Sequence, residues 1–111
     1  MNWQKLQSTD QIQDIKDQSM IKPVLIFKHS TRCAVSSMSM NRVSKKWKPD
    51  DADRITPYLL DLISFREISN LVASEFSIAH QSPQILIVKE GKVVYTDSHF
   101  GISYSAIMSK L

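Results

Sequence analysis

The sequence predicts an α/β protein built on a mixed β-sheet with helices on both faces. Three observations carry this. Short apolar runs at residues 24–28, 58–63 and 84–89 alternate with stretches of helical periodicity, the order expected when crossover helices join neighbouring strands. The first run, Val24-Leu25-Ile26-Phe27-Lys28, is almost continuously apolar, as in a central strand buried on both sides. Near the C-terminus, Glu90-Gly91 parts two strand-like runs by a tight turn, which adds an antiparallel edge.

Each element has its own signal. Trp3 to Leu6 reads as a short first strand. Ser8 and Gln11 have capping-box spacing, so a helix should follow to about Gln18 with Ile12 and Ile15 facing inward. Lys22-Pro23 punctuates the chain before the strand at Val24. From Ala34 onward, Ser36, Met40, Val43 and Trp47 fall on one helical face, and Lys48-Pro49-Asp50-Asp51 ends that helix in a turn. Trp3 and Trp47 read as packing residues. Tyr58 to Ile63 is the next buried strand. A helix is expected from about Ser64, capped by a Ser64/Glu67 box, with Phe65, Ile68, Val72 and Phe76 on its inner side. Ser82-Pro83 precedes the strand Gln84–Lys89, which returns as Lys92–Thr96. Ser103 then caps a last helix carrying Tyr104, Ile107, Met108 and Leu111.

The 111 residues form one expected domain, residues 1–111, with 42% hydrophobic and 23% charged content typical of a globular chain. No apolar run approaches the roughly 20 residues that span a bilayer, and the first residues lack the apolar stretch of a signal peptide. A cytoplasmic protein without membrane association is expected. The net charge is +3, and its one dense cluster, Arg42 to Lys48, lacks interleaved stacking aromatics. That argues for the solvated end of a helix rather than a nucleic-acid surface. A single cysteine cannot form an internal disulfide, and with three scattered histidines it makes no zinc site. No metal and no bound cofactor are expected.

That cysteine, Cys33, stands where the strand 24–28 gives way to a polar bend and then a helix. Free N–H groups at a helix start, and the positive end of its dipole, favour thiolate over thiol. A cysteine of ordinary acidity, with pKa about 8.5, is only about a tenth ionised near pH 7.5, so such assistance matters. Nearby Arg32 or Lys28 can add to it. Ser36 lies three residues on, on the same helical side, where its hydroxyl can donate to the sulfur but cannot form a disulfide. A mixed disulfide on Cys33 would therefore wait for an external thiol. His29 can tune the sulfur or move a proton, or it can simply cap the strand through the backbone. His80 and His99 fall in loops. Gly101 permits close approach of a ligand, or merely starts the last helix.

The segment Phe27-Lys28-His29-Ser30-Thr31-Arg32-Cys33-Ala34-Val35-Ser36 resembles the active-site stretch of the monothiol bacilliredoxins. The likeness extends over nearly the whole chain: a strand, a cysteine opening the next helix, a proline opening a later strand, then a hairpin and a closing helix. It implies a thioredoxin-like fold with a C-terminal β-hairpin plus helix. It further implies a thiol-disulfide oxidoreductase that takes bacillithiol off client proteins, with bacillithiol as the low-molecular-weight thiol co-substrate. On that resemblance Cys33 is the nucleophile and Ser36 stands where dithiol relatives carry a resolving cysteine. Pro83 matches a cis-proline facing the site, which leaves the Ser82 backbone free for a substrate strand. The carboxylates of bacillithiol would suit Lys28 or Arg32, with His29 and Gly101 completing the substrate contacts. Ala34-Val35 departs from the family's usual Pro-Ile, a change that can tune the cysteine without removing it.

Two other readings use the same residues. A non-catalytic thioredoxin-like module would keep the fold and hold a peptide near Pro83, consistent with the missing second cysteine. A glutathione-type monothiol redoxin could share an iron–sulfur cluster, in which case the purified protein would be coloured.

Overall fold

The computed structural model describes residues 1–111. Five strands make one sheet: β1 (Gln4–Lys5), β2 (Val24–His29), β3 (Thr56–Asp61), β4 (Gln84–Lys89) and β5 (Lys92–Ser98). Their spatial order is β1-β3-β2-β4-β5. Four α-helices accompany them: α1 (Asp10–Gln18), α2 (Ala34–Lys46), α3 (Arg66–Phe76) and α4 (Tyr104–Met108). β1, β3 and β2 run parallel, whereas β4 is antiparallel to β2 and β5 is antiparallel to β4. This is the expected mixed sheet with a closing hairpin and helix.

β2 is the middle strand, and all six of its residues are buried. Side chains alternate across a strand, so β2 feeds two cores. Val24 and Ile26 meet Ile12 and Ile15 of α1 and Ile68 and Val72 of α3. Leu25 and Phe27 meet Val43 of α2 and Ile107 of α4. Each such side chain contributes roughly 1.5–3 kcal/mol on full burial. The apolar β2 and β4 runs therefore act as the spine to which both helical layers adhere.

β3 begins earlier than the apolar pattern suggests, at Thr56-Pro57. A proline inside a paired strand removes a donor. Here the Thr56 N–H goes to Pro23 O on the β2 side, so position 57 faces the other way. On that side β1 starts only opposite Tyr58.

α3 also begins later than expected, at Arg66, and the Ser64/Glu67 box does not form. Asp61 displaces it. Its carboxylate accepts from the N–H groups of Ile63 and Ser64 and from the Ser64 hydroxyl, so the ordering of the approach to α3 comes from the end of β3. The first helix shows half of its expected box: the Gln11 side chain accepts from the Gln7 and Ser8 N–H groups, while α1 itself starts after Thr9. The last helix follows expectation, with Ser103 Oγ accepting from the Ala106 N–H at 3.1 Å.

A short 3-10 turn at Pro49–Asp53 links α2 to β3. Asp51 in it is buried and accepts from the Lys48 N–H and the Tyr104 hydroxyl, tying the end of α2 to α4. One ion pair exists, Lys16 with Glu75 at 3.2 Å, and it joins α1 to α3. No helix is long and apolar enough to cross a membrane.

Candidate active site

β2 ends at His29 because the apolar run stops there and a polar bend, Ser30-Thr31-Arg32, takes over. The Cys33 N–H closes this bend on Ser30 O at 3.2 Å. Cys33 itself is the N-cap of α2, in extended conformation (φ −115°, ψ 118°). Its thiol is free and partly exposed. The Cys33 carbonyl already accepts from the Ser37 N–H, while its side chain makes no capping bond. The first turn of α2 carries no acidic residue and the last turn carries Lys45 and Lys46, so no carboxylate in that turn opposes negative charge at Cys33. Five observations, then, meet at one sulfur: strand end, bend, N-cap, exposure and local charge.

Ser36 lies one turn on and is fully buried. Its hydroxyl oxygen accepts from the Ser30 N–H at 3.0 Å and lies 2.6 Å from His29 Nδ1. The expected bond from this hydroxyl to the sulfur is not made; the hydroxyl instead binds the end of β2 to the start of α2. His29 is likewise buried, and its Nδ1 meets the Ser36 hydroxyl rather than capping the strand through a backbone group. Burial pushes its imidazole below the usual histidine range, and the nearby Asp61 carboxylate partly offsets this. Asp61 sits opposite His29 in the β2–β3 register. It is itself held below the usual carboxylate range: burial pushes it up, but the Ser64 and Ile63 donors and the His29 charge outweigh that. His29, Asp61, Lys5 and Thr31 line a cavity of about 170 Å³ beside the bend.

Lys28 corrects an expectation. It does not reach toward a ligand but is completely buried, with Nζ donating to Ser69 O at 3.0 Å and lying 3.3 Å from His80 Nδ1. Strand alternation places it on the Val24 and Ile26 side, under α3. Burial lowers its ammonium pKa to about 8. Burial, together with the charges of Lys28 and Arg66, also pushes the His80 imidazole down. Arg32, by contrast, is exposed in the bend next to Cys33 and forms no ion pair.

The Ser82–Pro83 peptide is cis, as the resemblance implied. Pro83 is buried and its carbonyl accepts from the His99 N–H at 3.1 Å. Ser82 is half-buried, and neither its N–H nor its carbonyl bonds to another residue of the chain. His99 O in turn accepts from Ser39 Oγ of α2 at 3.3 Å. The Pro83 loop, the turn at His99–Gly101 and α2 are thereby linked. Gly101 has a nearer reason to be glycine than a ligand: a Cβ there would collide with the Asp97 carboxylate. Phe100, between them, is 72% exposed.

Two contributors escaped the sequence reading, the Ser30 N–H and Asp61. Asp61 closes an apolar run that lies parallel to β2, and that position was the signal available for it. No cluster of residues suited to a metal ion is present.

Comparison with known proteins agrees with this geometry. A structure described as a candidate oxidoreductase with a thioredoxin fold superposes with a TM-score of 0.80 and 27% identity, covering 95% of this chain and 89% of the other. The thioredoxin of Malassezia sympodialis superposes with a TM-score of 0.76 and 19% identity over 98% and 87% of the two chains. That of Fasciola hepatica gives 0.71 and 12% over 96% and 94%. The last two show the fold alone, and it is the thioredoxin fold. Residues 4–107 match the family described as monothiol bacilliredoxin BrxC, and the protein belongs to that family.

Proposed function

We propose that the protein removes bacillithiol from mixed disulfides on client proteins, through Cys33 and by a monothiol route. Its family and fold support a thiol redox role. The observation that carries the finer reading is the only sulfhydryl of the chain, free and partly exposed at the N-cap of α2, with Ser36 and not a second cysteine one turn on.

The chemistry balances in two exchanges. The Cys33 thiolate attacks the bacillithiol sulfur of the client's mixed disulfide; a new S–S bond forms and the client sulfur leaves as thiolate. The electron pair of the broken bond goes with the client. A second bacillithiol, as thiolate, then attacks the bacillithiol sulfur held on Cys33. Oxidised bacillithiol departs and the Cys33 thiolate returns. Another redoxin can take the place of that second thiol. No step needs a metal. Arg32, exposed and unpaired beside the sulfur, suits a bacillithiol carboxylate. The unpaired Ser82 backbone suits the client chain, with Pro83 beside it. Such exchange belongs in a compartment that keeps thiols reduced, which fits a cytoplasmic setting.

Intact mass after exposure to oxidised bacillithiol tests the reading. One adduct per chain, released by excess thiol, is the expected result. A protein that takes up no adduct, and alkylates no faster than an unstructured cysteine peptide, would be a peptide-holding thioredoxin-like module instead.

A further inference from the structure

We infer that Lys28 is a positioning residue for the client: through His80 it holds the loop that carries the Ser82 backbone. This rests on the reading of Ser82 as the backbone that meets the client chain.

A lysine is out of place on this side of β2. Val24 and Ile26, its neighbours there, belong to an apolar cluster, yet Lys28 brings an amine into the interior with no exposure at all. Burying such a group costs stability unless partners meet it. No carboxylate does so, since the one ion pair of the protein is Lys16 with Glu75. The partners are instead a helix carbonyl and a loop histidine, Ser69 O at 3.0 Å and His80 Nδ1 at 3.3 Å. Both contacts ask only for N–H donors, and the amine keeps two of them even without its extra proton. The bridge from β2 to α3 and the loop therefore does not depend on the charge.

The loop in question runs from the end of α3 at Phe76 to the start of β4 at Gln84. Lys28 Nζ holds its His80 ring, and the Ser69 hydroxyl makes a longer contact to the same Nδ1 at 3.5 Å. The Gln84 side chain holds the backbone on both sides of that ring, donating to Ala79 O at 3.0 Å and accepting from the Gln81 N–H at 3.4 Å. Lys28 and Gln84 are partners in the β2–β4 register, so one rung of the sheet grips the loop from two strands. Ser82 follows His80 by two residues, a span of at most about 7 Å of extended chain. Its own N–H and carbonyl bond to nothing else in the chain, while the Pro83 carbonyl beyond it is fixed by the His99 N–H. A backbone that is to pair with an incoming strand must be free of internal bonds and yet held in place. Ties on either side of Ser82 meet both demands. Lys28 supplies the one hydrogen bond from β2 to residues 77–83, and β2 is the strand that leads into the Cys33 bend. It couples the place of the client backbone to the element that places the cysteine.

Two substrates separate positioning from chemistry. A cysteine peptide carrying bacillithiol in disulfide linkage presents a backbone to Ser82, and oxidised bacillithiol presents none. In Lys28→Met the peptide concentration that half-saturates first-turnover thiol release should rise about fivefold, the effect of one hydrogen bond. The saturated rate, and the rate of adduct formation with oxidised bacillithiol, should stay within about twofold of wild type. His80→Ala should show the same split, and the double variant should be no worse than either single, because the two side chains are ends of one bond. Amide hydrogen exchange over residues 79–82 should quicken in each variant while that of β2 and β4 does not. Unchanged half-saturation, additive losses in the double variant, or an equal fall with oxidised bacillithiol would overturn the role. If Lys28→Met does not fold, His80→Ala, altered at a half-buried loop position, decides. Loop exchange needs no substrate. A wild type inert toward both disulfides therefore defeats the functional reading, whereas unaltered exchange in folded variants defeats the positioning role alone.

Discussion

Cys33→Ala should reduce removal of bacillithiol from a protein mixed disulfide to the uncatalysed rate of free bacillithiol. No other sulfur exists in the chain to accept the adduct except the thioethers of methionine, which cannot undergo disulfide exchange. The loss is therefore one of mechanism rather than degree. It should appear in the first-turnover release of client thiol, before any regenerating thiol is involved. The fold should survive, because the Cys33 side chain makes no capping bond and is only partly buried. Thermal melting within about a degree or two of wild type, with turnover at background, is the expected pair of results. Cys33→Ser should behave alike in turnover. Near-normal release of client thiol by either variant would place the chemistry elsewhere.

The second large effect concerns Lys28 and stability. Burial holds its pKa at about 8 in the fold against 10.5 in the unfolded chain. Between those values the unfolded chain carries the proton and the folded one does not, so unfolding takes up a proton there. Stability from this site therefore rises with pH across that window. Below it, the buried ammonium costs about 3 kcal/mol relative to the neutral amine. Lys28→Met keeps the volume and removes the charge. At pH 7 it should be at least as stable as wild type, since an apolar isostere often improves on a buried charge. Its advantage should shrink by about 3 kcal/mol as pH is raised toward 10.5, read as the difference between two urea-unfolding series. Tyr95 and Tyr104, both shifted up by their surroundings, titrate alike in the two proteins and drop out of that difference. Parallel stability curves would show that Lys28 is not charged and confined as described.

Much of this was legible because burial on both faces leaves a plain record. The β2 and β4 runs admit hardly a polar residue, and their neighbours alternate with helical periods, so order and class follow. Direction was less visible. An apolar run reads the same whether its strand lies parallel or antiparallel to the next, and β4 proved antiparallel to β2. Local capping rules competed, too. Ser64 and Glu67 had the right spacing, but Asp61, a charged acceptor already fixed by the sheet, took both the N–H and the hydroxyl of Ser64. Lys28 was misread because a cation beside a reactive motif suggests solvent. Its parity with Val24 and Ile26 was the better guide, and strand alternation overrode composition. The cysteine at its helix start was readable from the apolar-to-polar break alone. The link from Ser36 to His29 was not, because it depends on how far the bend folds back.

The solitary contact between Lys16 and Glu75 leaves a last consequence. An exposed bridge of that kind contributes roughly 0–1 kcal/mol and fades in brine. Heat tolerance should accordingly change little from dilute buffer to molar salt, since oily layers and amide ladders provide the cohesion. Encounter with any acidic partner is another matter: the surplus of three positive charges attracts it from a distance, and added electrolyte hides that attraction. Ionic strength thus separates how firmly this molecule holds itself together from how quickly a charged partner reaches it.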